Sequence, residues 1–163
     1  MAETSLYDPV QKKLGELLSG RVDKFYLETG ASRGFSETIK AAIPSGREIL
    51  FNFMRRRPDL LGLVETEYQK DLITVEVKER SLKIDDLYQA KMYKEVFGAR
   101  YGFLITAAPI PEELRRLCKT TPAILHSVDD WIIRFLAIAQ FHPAGGFIDW
   151  VEENPFEQER YWK

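Results

Sequence analysis

Cysteine and histidine are almost missing from this chain: its 163 residues include one cysteine, Cys118, and two histidines, His126 and His142. A single thiol excludes an intramolecular disulfide and any zinc cluster built from cysteines. The histidines have no Cys or His neighbours in sequence, so zinc-ligand spacing is missing too. Neither charge dominates, with 23 Lys plus Arg against 25 Asp plus Glu, which excludes a protein that coats nucleic acid by bulk basicity. No Gly-rich loop sits between a strand and a helix, so Gly145-Gly146 reads as a turn and not as a phosphate cradle. The most apolar stretch, Trp131 to Phe141, carries Arg134 and falls well short of the ~20 residues of a membrane span. The N-terminal Met-Ala-Glu-Thr-Ser-Leu lacks the basic and apolar regions of an export signal. These absences point to an intracellular, cytoplasmic chain with no membrane partner.

What is present describes an ordinary globular domain, 45% hydrophobic and 12% aromatic. Charge is unevenly placed. Residues 141–163 hold five acids against two bases, which leaves residues 1–140 at +1. We therefore expect a mildly basic domain over 1–140 and an acidic, aromatic tail over 141–163 that folds back onto the same domain.

Periodicity supplies the elements. Val10, Leu14, Leu17 and Leu18 share one stripe of a helix over Tyr7 to Leu18, with Asp8 as cap and Pro9 in the first turn. Arg21 to Thr29 reads as a strand, and Ser36 caps a short helix that Pro44 stops. Glu48 to Phe53 is a strand candidate. Leu60 to Val64 and Leu72 to Val77 form a hairpin around the polar stretch Glu65 to Asp71. Asp85 to Phe97 is an amphipathic helix closed by Gly98. Tyr101 to Thr106 is an apolar strand, Glu112 to Cys118 a helix, and Ala123 to Leu125 a short strand. Asp129 or Asp130 caps a last helix over Trp131 to Gln140. The fold class is α/β, a mixed central β-sheet flanked by helices.

One constellation carries chemistry: Pro58-Asp59 at the start of the hairpin and Glu76-Val77-Lys78 at its end. Period-2 geometry puts Glu76 and Lys78 on one face of their strand. A turn centred on Tyr68-Gln69 sets Asp59 opposite Lys78 and makes Asp59 and Glu76 diagonal neighbours, ~7–8 Å apart. Two carboxylates so placed suit a hard cation such as Mg²⁺, which keeps several waters. A lysine beside them suits the positioning or activation of an attacking water and the stabilisation of charge on a phosphoryl transition state.

The stretch Arg57-Pro-Asp-Leu-Leu-Gly…Ile-Thr-Val-Glu-Val-Lys resembles the core motif of the PD-(D/E)XK nuclease superfamily. Gln89-Ala-Lys-Met-Tyr93 is similar to the Gln-x-x-x-Tyr helix of its RecB-like and Holliday-junction-resolvase-like branches. Ser127-Val-Asp-Asp-Trp-Ile looks like that fold's later strand-to-helix junction. The likeness covers about residues 7 to 135 and implies a restriction-endonuclease-like core. It implies Asp59 and Glu76 as metal ligands with the Val77 carbonyl as a third, Lys78 as catalytic lysine, and Gln89 reaching toward the site or the substrate backbone. Tyr93 would buttress the site or contact nucleic acid. Many members add an acid from the first helix; Asp8 and Glu16 both qualify and remain open.

Arg55, Arg56 and Arg57 directly precede Asp59 and are the candidates for phosphate contact, with Lys83, Lys91, Lys94 and Arg100 able to extend the patch. The expectation is a Mg²⁺-dependent nuclease, with Mn²⁺ as substitute, acting on DNA first and RNA second. The family allows a homodimer. The alternative is a non-catalytic module of the same fold that binds nucleic acid or a protein partner.

Overall fold

The computed structural model describes residues 2–30, 34–46, 57–129 and 131–163. A 3-10 turn, Glu3–Leu6, leads into α1 (Tyr7–Ser19), followed by β1 (Lys24–Thr29) and α2 (Glu37–Ala42). The hairpin β2 (Leu60–Glu65) and β3 (Lys70–Lys78) comes next, then α3 (Ile84–Val96), β4 (Tyr101–Thr106) and α4 (Glu112–Thr120). The chain closes with β5 (His126–Asp129), β6 (Ile132–His142), β7 (Phe147–Trp150) and two further 3-10 turns. The expected strand over Glu48 to Phe53 lies outside the described residues.

Among the described residues seven strands form one sheet in the order β1-β2-β3-β4-β6-β5, with β7 pairing the far half of β6. The β3–β4 and β4–β6 pairs are parallel and the others antiparallel. The domain is thus α/β with a mixed sheet flanked by helices. Among the described residues no helix is long and apolar enough to cross a membrane.

The pleat divides the core. Leu60 and Val64 of β2 and Ile73, Val75 and Val77 of β3 face Val10, Leu14 and Leu18 of α1. On the other face Leu61, Leu63 and Leu72 meet Ile39 of α2 and Tyr93 of α3, while Leu104 meets Leu87 and Ala90 of α3. The aromatic tail completes the first layer. Trp162 stacks on Tyr101 with ring centroids 4.6 Å apart, Phe156 stacks on Phe103 at 5.8 Å, and the Tyr101 hydroxyl donates to the Tyr161 carbonyl.

Three local expectations are corrected. Trp131 to Gln140 is not a helix: β6 begins at Ile132 and runs antiparallel to β5, so a strand pair stands where the strand-to-helix junction was expected. Ile132, Ile133, Phe135 and Ile138 favour a strand that lies between β4 and its outer neighbours. Its apolar run is buried on both sides, which erases the period-2 signal. Ala123 to Leu125 falls in a 3-10 turn, Pro122–Ile124, because Pro122 cannot donate to a ladder. Asp8 is the second residue of α1 and does not cap it; the N-cap is Leu6, with the preceding 3-10 turn running straight into the helix.

Candidate active site

The β2–β3 register pairs Leu60 with Val75 and Glu65 with Lys70. The turn therefore centres between Glu67 and Tyr68, one residue earlier than expected. The ladder ends at Leu60–Val75; continued outward, its register would set Asp59 across from Glu76 at the first step and Pro58 across from Val77 at the second. On that register the two acids fall on one face, and the Asp59 charge acts on Glu76.

Pro58 shapes the end of this ladder. It has no N–H, so it has no donor for the Val77 carbonyl. The Val77 N–H donates to Asp59 Oδ2 at 2.7 Å. A strand residue aims its N–H and C=O toward the same neighbour, so the Val77 carbonyl also points to the end of β2, where the proline offers it no donor. The other Asp59 oxygen, Oδ1, accepts from the Tyr7 hydroxyl at 2.6 Å.

Glu76 and Lys78 emerge side by side at the carboxyl end of β3, where parallel α/β strands present their functional groups. Lys78 Nζ lies 2.8 Å from Glu76 Oε1 and 3.7 Å from Glu3 Oε1. All three groups of the motif are buried, Asp59 at 7%, Glu76 at 3% and Lys78 at 9% exposure. The second Glu76 oxygen, Oε2, is buried with no hydrogen-bond partner, an unmet acceptor in a setting where such groups are normally satisfied.

The electrostatics reflect this crowding. Burial first, and then the Asp59 charge, push Glu76 up to about 7, against the pull of Lys78. Burial also lifts Asp59 above the ordinary carboxylate range, opposed by its hydrogen bonds from Tyr7 and Val77. Burial favours a neutral Lys78, but the hydrogen bond to Glu76 and the charges of Glu76, Asp59 and Glu3 hold its ammonium above the usual value. Glu3 is itself raised, chiefly by burial.

Which groups could hold a cation can be read from the donor set. Asp59, Glu76 and the Val77 carbonyl supply oxygens only, with Glu76 Oε2 unspent, and this chemistry suits a hard divalent ion that retains waters. Among the described residues no group of three or more His, Cys, Asp or Glu is arranged to hold a metal.

The remaining expected residues divide. Gln89 and Tyr93 do meet each other, Gln89 Nε2 donating to the Tyr93 hydroxyl at 3.1 Å. Tyr93 is fully buried against Phe97, Leu61 and Leu63, so its ring buttresses α3 and offers no surface to a ligand. Arg57 is half-buried, its guanidinium 5.6 Å from the centre of the Phe35 ring. Arg55 and Arg56 lie outside the described residues. Of the four residues expected to extend the basic patch, two are buried: Arg100 against Asp71 and the Lys163 carbonyl, and Lys94 on the sheet side of α3. Lys83 is exposed and Lys91 half-buried.

Neither first-helix acid joins the site: Asp8 is exposed, and Glu16 is exposed and paired with Lys13. Glu3 and Tyr7, from the turn ahead of the helix and its first residue, come to the site instead. Sequence periodicity has no way to single out Glu3, which precedes the first helical stripe. Tyr7 signals only a helix start.

No family model, curated protein or solved structure matches the chain. The site must therefore be judged by its own geometry.

Proposed function

We propose that the chain is a Mg²⁺-dependent nuclease that hydrolyses phosphodiester bonds in DNA. One observation carries this reading: Asp59, Glu76 and Lys78 meet at one end of the sheet, with a buried carboxylate oxygen left unpartnered. Two neighbouring buried acids are mutually destabilising unless protonated, paired or bound to a cation. Lys78 offsets only part of that charge.

When bound, a divalent ion supplies Lewis-acid polarisation of the scissile phosphate. Asp59 and Glu76 hold it through oxygens, and the Val77 carbonyl gives a neutral third donor. Lys78 keeps its proton next to these carboxylates, so its ammonium positions the attacking water by hydrogen bonding and stabilises negative charge at the phosphorus centre. Gln89, half-exposed on α3 and bonded to Tyr93, is left to contact the substrate backbone. Arg57, with Arg55 and Arg56 before it in sequence, is the phosphate-binding candidate.

A second reading is favoured by the burial of all three groups and by the closed Lys78–Glu76 and Lys78–Glu3 pairs. Closed pairs of this kind suit a nuclease-fold module that binds nucleic acid or a protein partner without catalysis. The test is cleavage of single-stranded, double-stranded and branched DNA, and of RNA, with Mg²⁺ and with Mn²⁺. The nuclease reading expects metal-dependent cleavage that Glu76→Ala and Lys78→Ala each abolish while the fold is retained. No cleavage of any substrate, with no Mg²⁺ binding by calorimetry, would leave the binding module.

A further inference from the structure

We infer that Tyr7 is a positioning residue whose hydroxyl fixes the Asp59 carboxylate in the orientation that binds the cation. The inference rests on the nuclease reading and names the residue that prepares one of its metal-binding groups.

Asp59 is held at both oxygens by two different elements. Tyr7 of α1 donates to Oδ1 at 2.6 Å and the Val77 N–H of β3 donates to Oδ2 at 2.7 Å. With one anchor the carboxylate could turn about its last torsion, whose preference is broad. Two anchors fix its plane and leave each oxygen a further lone pair for a ligand.

The chemistry of the anchor matters as much as its position. A phenol is a neutral donor, so Tyr7 orients Asp59 without cancelling the charge that attracts a cation. Glu76 shows the contrast, because its Oε1 is engaged by the Lys78 ammonium at 2.8 Å. The Lys78 charge also acts on Asp59. Without the hydroxyl, Oδ1 becomes free to swing toward that ammonium and away from the cation position.

Tyr7 is suited to the task because it cannot move easily. Its ring is buried in the core beneath the sheet with Val10 and Leu14, and its hydroxyl proton is its only donor. That proton is committed to Asp59, and Glu76 Oε2 stays unpartnered.

The experiment is calorimetric titration of the full chain with Mn²⁺, comparing wild type, Tyr7→Phe and Val10→Ala. Val10 is buried on the same face of α1 and carries no polar group, so its truncation loosens helix docking without removing a hydrogen bond. We expect Tyr7→Phe to weaken Mn²⁺ binding about 10–100-fold, as loss of an outer-shell partner does, while Val10→Ala keeps wild-type affinity. In cleavage assays the half-saturating Mg²⁺ concentration for Tyr7→Phe should rise in parallel, and the rate at saturating Mg²⁺ should recover. Unchanged Mn²⁺ affinity in Tyr7→Phe, equal weakening by both variants, or loss of the fold in Tyr7→Phe would each overturn the positioning role while leaving the nuclease reading intact. Absence of Mn²⁺ binding in wild type would instead remove the nuclease reading, and this inference with it.

Discussion

The carboxylate of Asp59 takes the N–H of Val77 at 2.7 Å, just beyond the Leu60–Val75 pair where the β2–β3 ladder ends. The aspartate side chain thus caps the end of β3. Asp59→Ala leaves the Val77 N–H and the Tyr7 hydroxyl without acceptors in a buried setting. An orphaned buried donor costs about 1–3 kcal/mol, and urea unfolding should show a loss of that order. Asp59→Asn, which keeps an oxygen for Val77, should lose less stability and still lose divalent-cation binding.

Glu76 supplies a pH-dependent prediction. Its folded pKa of about 7 exceeds the ordinary glutamate value of 4.5, so the folded chain binds more protons between those limits. Stability from this group is full below the unfolded value and is lost as pH rises through about 7. Each pH unit between the two pKa values is worth about 1.4 kcal/mol, which caps the penalty at roughly 3 kcal/mol. Glu76→Gln keeps an acceptor for Lys78 without the charge. In metal-free buffer it should raise the thermal midpoint at pH 8 and leave it nearly unchanged at pH 4.

The elements bordering the site are legible in the sequence because each carries its own punctuation. The α1 stripe ends at Gly20, α3 ends at Gly98 with φ 63°, and two apolar runs flank a polar turn. The motif acids are legible for the same reason, as a Pro-Asp and a Glu-x-Lys at the two ends of that hairpin. Glu3 and Tyr7 are not, since their roles arise from docking of α1 across the sheet end, with 52 positions separating Tyr7 from Asp59. β6 reads as a helix because Asp129 or Asp130 offers a cap directly ahead of an apolar run. Only its neighbours, β4 on one side and β5 and β7 on the other, decide for a strand.

Lys94 offers a second titration, of opposite sign. It is buried on the sheet side of α3 with its stem against Gly102. Burial above all, with Lys91 and Arg134 adding and Glu95 opposing, pulls its pKa down to about 8 from 10.5. The unfolded chain therefore binds more protons between those values, and wild-type stability should rise with pH through that window. Lys94→Met keeps the stem's volume and removes the charge. It should stabilise the protein at pH 7 by about 1–3 kcal/mol, an advantage that denaturant midpoints should show shrinking toward pH 10.

The tail gives the largest expected loss of stability. Trp162 stacks on Tyr101 at 4.6 Å and on Phe156 at 5.1 Å, and its indole N–H donates to the Pro155 carbonyl at 2.9 Å. Arg100, buried beside it, donates to the Lys163 carbonyl at 3.0 Å, so the end of the chain is tied to the start of β4. Trp162→Ala removes the ring that joins these stacks and leaves a cavity over the sheet. Burial of this kind is worth about 3–5 kcal/mol, a large share of the ~5–15 kcal/mol that holds a domain folded. Equilibrium unfolding should therefore show a loss of that size for Trp162→Ala. Trp131→Ala, at a hairpin tip where the side chain is 97% exposed, should change stability by less than about 0.5 kcal/mol. A similar loss in both variants would mean that the tail does not serve as core.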